Sequence, residues 1–433
     1  MTPQSNFMVL APIATERLDR LRGLLASMNQ PDGLADPANP LIPFGAFEGL
    51  HLARFMILDD TTADDMAVYG LPSRPYPISL VFFGDIDGAA DAFLAALCRR
   101  ADAGLREIFA CCEDFDAQGD LLAWVRRHNQ QPAAAYVNCI GRTVRQIREE
   151  DALYRAVAGH LEATAAEFAG RDRQRQRAQL IAFVDAQKKA GKLSLSPPDE
   201  TPLVWRLGNL LNLVGVPLVL LLVSPLLLVA FPFYLYQLRS RELTDPEITP
   251  RPDPARIAML AATEDHDVTN PYLVMGSLKP GPFRRLNAMF LLALLDYFAR
   301  HIYTGGNLGR VRTIHFARFV FLDNRQRMLF ISNYDGTLEA YMDDFVNKVG
   351  WGLNIMFSNG LGYPRTEWVV EGGAKQEQKF KYYVRRHQMP TAVWYKAYPG
   401  LTIFDLARNS LLRAGLEQEH MSEAETAEWL ALL

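Results

Sequence analysis

The sequence predicts an α+β protein in which two tandem copies of one domain flank a central apolar membrane segment. Residues 207–238 carry no charged side chain and lie between Arg206 and Arg239. Sequence blocks that precede this segment recur after it in the same order. At 433 residues the chain has room for two or three domains, so a duplicated domain fits its length.

Three pairs of blocks carry the duplication. They are LHLARFMILD from Leu50 with IHFARFVFLD from Ile314, ISLVFFGDIDGAADAFLAAL from Ile78 with RMLFISNYDGTLEAYMDDFV from Arg327, and WVRRHNQQPAAAYV from Trp124 with YVRRHQMPTAVWY from Tyr383. The shared order and spacing indicate that the second half repeats the first.

Each copy predicts the same series of elements. A strand begins near Phe7 or Tyr272, and a helix follows near Thr15 or Phe283. Two strands come next, and an Asp-Gly turn then leads into a second helix. A further helix ends at the VRRH motif, before a last strand at residues 133–139 or 392–398 and a closing helix. This order is typical of the split βαβ, or ferredoxin-like, domain.

The strand that begins each repeated block is apolar on both faces, so both faces of its sheet need cover. Helices cover one face, and we expect the sheet of the other copy to cover the second. The result would be a dimeric α+β barrel within one chain. The predicted domains are a first repeat (1–165), a basic helical linker (166–206), the membrane segment (207–238), a linker (239–268), a second repeat (269–418) and a C-terminal tail helix (419–433).

The apolar segment is too long for an ordinary soluble core and passes the length test for a membrane helix. A single tilted pass would place the two copies on opposite sides of the bilayer, where they could not pack together. We therefore predict a re-entrant hairpin bent at Pro217, Pro225 and Pro232, with the single pass as the alternative. The bilayer is thus a predicted partner.

Charge and cysteine usage exclude several classes. The net charge of −4 and the lack of a long basic stripe argue against nucleic acid as a partner. The four cysteines show no CxxC spacing, which argues against a disulfide framework or a zinc site. With no export signal in the sequence, we expect the inner membrane, with both soluble domains on its cytoplasmic side.

Candidate catalytic residues come from positions matched between the copies, namely His315, Arg318, Asp335 and Asp87. On a regular strand His315 would share a face with Phe319 and Phe321, opposite Arg318. A buried arginine needs a partner, for which Asp323 and Asp335 are the candidates. A hydrogen-bonded core histidine is the alternative to a ligand or proton-transfer group in the cleft between the sheets.

Loops rich in Gly and Asn beside aromatic residues place any ligand in the second copy. The predicted ligand-binding residues are His315, Arg318, Asn333, Tyr334, Asn359, Tyr363, Trp394 and Tyr395. No metal site is predicted from ligand spacing, and no P-loop, GxSxG or HExxH motif is present.

Two resemblances extend these predictions. TIHFARFVFLD, SNYDGTLEAYMDDF and VWYKAYPGLT resemble blocks of a widespread group of bacterial membrane-associated proteins that brings no established activity. At the level of fold the chain resembles the dye-decolourising peroxidase and chlorite dismutase superfamily, and GDIDG at residues 84–88 matches the peroxidases' GxxDG motif. That resemblance implies haem, with His315 or His387 as the iron ligand and Asp87, Asp335 or Arg318 in a distal catalytic role.

Two functions remain open at this point. The first is a membrane-anchored binding or accessory protein that holds an amphipathic or lipid-derived ligand in the cleft between its two sheets. The alternative is a haem-dependent, peroxidase-like oxidoreductase at the membrane surface.

Overall fold

The computed structural model describes residues 1–73, 76–169, 171–306 and 308–433. The strands are β1 (Gln4–Pro12), β2 (Leu50–Leu58), β3 (Ser79–Asp87), β4 (Ala134–Val137), β5 (Thr269–Ser277), β6 (Ile314–Leu322), β7 (Arg327–Asp335), β8 (Thr366–Glu367), β9 (Glu371–Gly372) and β10 (Val393–Lys396). The helices are α1 (Leu18–Ala26), α2 (Ala90–Arg100), α3 (Asp102–Phe109), α4 (Leu121–His128), α5 (Val144–Ala169), α6 (Arg173–Lys189), α7 (Leu203–Thr244), α8 (Pro254–Ala261), α9 (Pro282–His301), α10 (Leu338–Phe357), α11 (Glu377–His387), α12 (Ile403–Glu417) and α13 (Glu423–Leu430).

The α+β class and the positions of the predicted strands are confirmed. The two repeated apolar blocks form β2 and β6, and the blocks that follow them form β3 and β7. The last predicted strand of each copy is shorter than expected and covers four residues. All pairings within the two large sheets are antiparallel.

The two large sheets exchange their last strands. The first sheet has the order β1-β3-β2-β10, and the second has the order β5-β7-β6-β4. Strand β4 therefore belongs to the first half of the chain but pairs with β6 of the second half, while β10 pairs with β2. The expectation that each copy completes its own sheet is wrong for this strand. The alternation of apolar residues identifies a strand but does not say which edge it joins.

The segments that lead into the exchanged strands tie the sheets together. The Gln130 amide donates to the Met8 carbonyl (2.7 Å) before the chain crosses to β6. In the second half the Met389 amide donates to the Leu273 carbonyl (3.0 Å) before the chain crosses to β2. The crossing in the first half therefore runs from β1 to β6, and the crossing in the second half runs from β5 to β2.

The inner faces of the two sheets pack against each other. This buried cluster includes Met8, Met56, Leu58, Val81 and Phe83 from the first sheet, and Leu273, Met275, Val320, Leu322, Leu329 and Ile331 from the second. The outer face of the first sheet packs on helices of the first half and on Ile403 and Leu406 of α12, and the outer face of the second sheet packs on α9, α10 and α11. Both faces of the central strands are therefore buried, which explains why their sequences are apolar throughout.

The apolar segment is one continuous helix, α7, and the predicted hairpin is absent from it. Three prolines lie inside this helix of 42 residues without interrupting it. In its most apolar window the mean hydropathy is 2.7 and no residue is buried, so α7 is long and apolar enough to cross a membrane. Prolines are tolerated in apolar helices when their kinks are small enough to leave the helix continuous.

Both ends of α7 are bound to the second half of the chain. Near its start, Asn209 accepts from Arg300 Nε (2.8 Å) and Asn212 pairs with His301 Nε2 (2.8 Å) on α9. Near its end, the buried Glu242 carboxylate accepts from Thr366 Oγ1 (2.8 Å) and from two backbone amides. Between these contacts most residues of α7 are exposed, and the others are intermediate except for the buried Leu238.

The strand exchange predicts that α7 is dispensable for folding. We expect that replacing residues 207–238 with a Gly/Ser linker of about 30 residues gives a folded protein that needs no detergent, because β4 and β10 still hold the halves together. Such a linker can span the roughly 48 Å that the removed helix covers. Circular dichroism melts and size-exclusion chromatography measure the outcome.

The matched controls are the separate halves, residues 1–206 and 239–433. Each lacks one strand of its own sheet and exposes half of the inner core, so each is expected to aggregate or to remain unfolded. Halves that fold alone, combined with a deletion variant that aggregates, would contradict the role assigned to the exchanged strands.

Candidate functional site

Two buried arginines occupy the space between the sheets. The guanidinium groups of Arg54 and Arg318 lie on the Phe83 ring, at 4.5 Å and 4.7 Å from its centroid. Arg318 forms an ion pair with Asp85, and both side chains are buried. The predicted partners of Arg318 are therefore wrong. Asp323 binds Arg327 at 2.5 Å, and Asp335 binds His315 instead.

The two arginines have unequal partners. The register places Asn333 of β7 where β3 has Asp85, so Arg54 faces an amide rather than a carboxylate. Arg54 also donates to the Ser332 carbonyl (2.8 Å) and to the Tyr272 carbonyl (3.2 Å). Burial, and then the neighbouring charge of Arg318, lower the pKa of Arg54. Among the described residues, Arg54 and Arg318 thus share the space between the sheets with the carboxylate of Asp85, and all three side chains are buried.

A histidine–carboxylate pair is present at matched positions of both halves. His51 Nε2 lies 2.9 Å from Asp87 Oδ1, and His315 Nε2 lies 2.6 Å from Asp335 Oδ1. A register shift occurs at Leu50/Leu52 in β2 and at Ile314/Phe316 in β6. Such a bulge re-aims the side chain at its centre. His315 therefore does not share a face with Phe319, as a regular strand would require.

Each of these carboxylates also binds the start of a helix. Asp87 accepts from the Val144 amide (2.9 Å) at the start of α5, and Asp335 accepts from the Ile403 amide (2.7 Å) at the start of α12. Burial opposes the ionisation of Asp335, but the contact with His315 and three hydrogen bonds together lower its pKa. These contacts give Asp87 and Asp335 a structural role. They support the interpretation of His315 as a hydrogen-bonded core histidine.

The predicted ligand-binding residues do not converge on one site. Arg318, Asn333 and Trp394 lie near Arg54 between the sheets. The others lie elsewhere, with Tyr334 stacked on Tyr341 (4.2 Å), Tyr395 on Phe44 (5.1 Å), Asn359 bound to Asn287 (3.1 Å) and Tyr363 to Asn354 (2.9 Å). Arg54, Arg318 and the inner core are buried between the sheets and occupy the space in which the sequence placed the ligand.

The residues proposed as haem ligands do not fit a haem. His387 is buried, its Nδ1 lies 2.8 Å from the Tyr383 carbonyl, and burial lowers its pKa to about 4. Its ring packs so closely on β5 that a Cβ placed at Gly276 would lie 2.8 Å from its Cδ2. His315 is also buried and uses Nε2 to bind Asp335. In the described part of the chain both rings are therefore buried and in contact with neighbouring residues.

An apolar cavity lies on the outer face of the second sheet, under helices α9 and α10. Its volume is about 230 Å³. Its walls include Leu294, Leu295 and Phe298 of α9, Phe319 and Phe330 of the sheet, and Met356 of α10. None of the residues that line it is charged. A cavity of this size with apolar walls stays dry and accepts apolar molecules.

The cavity lies next to the helix that holds α7. Tyr297 of α9 donates to the Leu213 carbonyl of α7 (3.1 Å), while Phe298 lines the cavity and is 38% exposed. The same helix exposes Leu286 and Phe290 to solvent by 62% and 46%. Exposed apolar side chains in such numbers mark an interaction surface. The cavity and α7 therefore both adjoin α9, which also exposes apolar side chains to solvent.

Neither the cavity nor Asp85 was identified from the sequence. Residues 289–295 (MFLLALL) are apolar all round, which is more than a helix on one side of a sheet requires, and this signal indicates a second apolar contact. No comparable signal marks Asp85, because its contact with Arg318 depends on how the two sheets face each other.

Comparison with family models, with curated proteins and with solved structures gives no match.

The unequal arginine partners make a prediction about stability. Asp85→Asn is expected to lower the free energy of unfolding by about 3–5 kcal/mol, because it leaves Arg318 buried without a carboxylate. Asn333→Asp is expected to raise the midpoint of chemical unfolding, because it supplies a carboxylate to Arg54. Denaturant titration of the detergent-solubilised protein measures both.

The double variant with both substitutions is the control, since it keeps one carboxylate between the sheets. We expect it to regain most of the stability lost by Asp85→Asn alone. An Asp85→Asn protein that unfolds at the native midpoint would show that the pair contributes nothing to the fold.

Proposed function

We propose that this chain is a membrane-anchored binding protein that takes up the apolar chain of a membrane amphiphile in the cavity under α9 and α10. The observation that carries the proposal is the cavity itself, whose lining contains no charged residue and which borders the helix that holds α7. Sequence reasoning placed the ligand between the two sheets. The buried arginines and the inner core occupy that space, so the ligand is assigned to the outer face of the second sheet.

The physical argument rests on what an apolar cavity can bind. A charged or strongly polar group would lose its hydration on entry and find no partner, which costs several kcal/mol. A hydrocarbon chain loses only unfavourable contact with water, at about 25 cal/mol per Å² of apolar surface buried. The bilayer supplies such chains at high local concentration, and α7 keeps the cavity near them.

The anchor is proposed to lie at one face of the bilayer rather than to connect its two sides. Both ends of α7 bind one folded half, and that half shares strands with the other half. A continuous apolar helix held in this way lies along the bilayer interface and leaves both of its ends on the same side. We place both halves on the cytoplasmic side of the inner membrane, where free cysteines such as Cys98 and Cys112 stay reduced.

The architecture is proposed to be a pair of diverged ferredoxin-like repeats closed into a dimeric α+β barrel. In support, both sheets have the same strand order, the same bulge and the same histidine–carboxylate pair. The exchanged fourth strands close the barrel. We also propose that the chain is related to the group of bacterial membrane-associated proteins that it resembles.

Plugging the cavity tests the binding function. A Cβ placed at Gly352, which lines the cavity on α10, meets nothing nearer than Val349 Cβ at 4.0 Å. Gly352→Phe should therefore fill the space without moving the backbone and abolish the lipid that co-purifies with the protein. Native mass spectrometry of the detergent-solubilised protein measures the bound lipid.

Gly352→Ala is the matched control, because it makes the same backbone change and leaves the cavity largely open. It is expected to keep the bound lipid and to melt at or slightly above the native temperature. Equal lipid occupancy in the Phe and Ala variants would rule out this cavity as the binding site.

The proposed topology predicts that both halves are accessible from one side of the membrane. Single cysteines at Asp64 and Glu377, both exposed, should react with a membrane-impermeant maleimide only after the inner membrane is opened. Cys139, a native thiol that is not fully buried, is replaced by Ala in both. Labelling of one site in intact spheroplasts would mean that α7 crosses the bilayer and that the strand exchange occurs between molecules.

A further inference from the structure

A short hairpin beside the end of α7 exposes apolar side chains at its tip. Glu367 of β8 pairs with Glu371 of β9, and residues 368–370 form the turn between the two strands. In this turn Trp368 is 52% exposed and Val370 is 43% exposed. Their side chains therefore add little to the core of the protein, and their apolar surface is available to a partner.

The turn places bulky residues where small ones are usual. The φ angles of Trp368 and Val369 are 53° and 65°, in the left-handed region that favours glycine. Turn residues in that region are most often Gly, Asn or Asp. The sequence TEWVVEGG has Trp and Val there instead, although glycines follow only three residues later. The conformation of the turn thus does not explain the choice of Trp368, which points to a role for its side chain.

Helix α7 itself holds the turn in place. The buried Glu242 carboxylate accepts from the Trp368 amide (2.9 Å) and from the Val369 amide (2.8 Å). Arg239 lies 3.2 Å from the same carboxylate, and its guanidinium lies 5.6 Å from the centroid of the Trp368 ring. These contacts fix the tip of the hairpin relative to the last turns of α7.

The position of the tip fits a lipid–water interface. Arg239 is the first charged residue after the apolar run, and Tyr236 just before it is exposed. Trp and Tyr side chains prefer the membrane interface, and an arginine at the end of an apolar helix extends toward the headgroups. Trp368, which lies next to Arg239, is therefore level with the end of the run. Glu367 and Glu371 flank the turn, and the cost of moving a carboxylate into hydrocarbon limits immersion to the tip.

We propose that the tip of this hairpin is a second membrane contact, in which Trp368 and Val370 enter the headgroup layer of the bilayer beside the end of α7. This inference rests on the proposed anchoring of the chain by α7. One apolar helix leaves the folded halves free to rotate about its axis. A second contact to the side of that axis restricts the rotation, so the hairpin sets how the folded halves are oriented on the bilayer.

Site-directed spin labelling of the full-length protein tests this contact. Val370→Cys in a Cys139→Ala background carries a nitroxide, since the remaining cysteines are buried. The labelled protein is reconstituted in vesicles of phosphatidylethanolamine and phosphatidylglycerol, and power saturation measures how often the nitroxide collides with a water-soluble nickel chelate. We expect a lower collision rate than for the same label at Glu423→Cys, an exposed position on α13.

Two substitutions at the tip separate membrane contact from local packing. Trp368→Ser should raise the collision rate at Val370→Cys to the level of the Glu423→Cys label, because it removes the larger apolar side chain of the tip. Trp368→Phe is the matched control and should keep the low rate, because it retains an aromatic ring. Trp368 is largely exposed, so both variants should melt at the native temperature.

A third label, at Leu222→Cys in the exposed middle of α7, reports on the anchor itself. If this label is shielded while the tip label collides as often as the label on α13, α7 is an anchor and the second contact is overturned. If neither label is shielded, the anchoring on which the proposed function depends fails. Equal shielding of the tip in the Ser and Phe variants, or dipolar broadening between tip labels of two molecules, would assign the cover to protein instead of lipid and overturn the inference.

Discussion

Each half of the chain completes its sheet with a strand from the other half, and most of the structure depends on this exchange. Strand β10 closes the edge of β2, and β4 closes the edge of β6. An unpaired edge strand exposes a row of backbone donors and acceptors. The exchange satisfies both edges reciprocally and forces the two inner faces together. As a result, neither half has a complete sheet or a covered inner face by itself.

Packing the two sheets together encloses charged groups, and the free energy lost when they leave water is offset in part by their partners. Two guanidinium groups are removed from water there, and only Arg318 has a carboxylate partner. Arg54 relies on backbone carbonyls, an amide and the face of Phe83. Buried charges of this kind rarely add net stability, but they penalise any other alignment of the sheets, in which they would be unpaired. This interior is therefore better explained as a fixed core than as a binding cleft.

The apolar cavity lies where the two halves of the chain differ. In the second half the helix after the first strand, α9, is longer than its counterpart α1, with 20 residues against nine. Its extra length lets it hold α7 on one side and roof the apolar cavity on another. The first half keeps the matching strands and the matching histidine–carboxylate pair. The two halves thus share the arrangement of strands, and the longer α9 of the second half adds the cavity and the contacts with α7.

The sequence by itself determined the elements, because the alternation of apolar residues and the repeated blocks are local patterns. It located all eight strands of the two large sheets, the apolar run that became α7, and the histidines and acids that pair at matched positions. It missed the destination of β4 and β10, the partner of Arg318 and the continuity of α7 through three prolines.

The tertiary structure decided the destination of β4 and β10 and the partner of Arg318, because both depend on which surfaces meet. Asp85 and Arg318 are 233 positions apart in the chain and touch only because the sheets face each other. The cavity likewise exists because α9 and α10 leave space above the second sheet, and the volumes of the side chains at that contact are not visible as a pattern along the chain. The local sequence determines the periodicity and the polarity of each helix or strand. The partner of a buried side chain and the volume of a cavity depend on packing between distant segments.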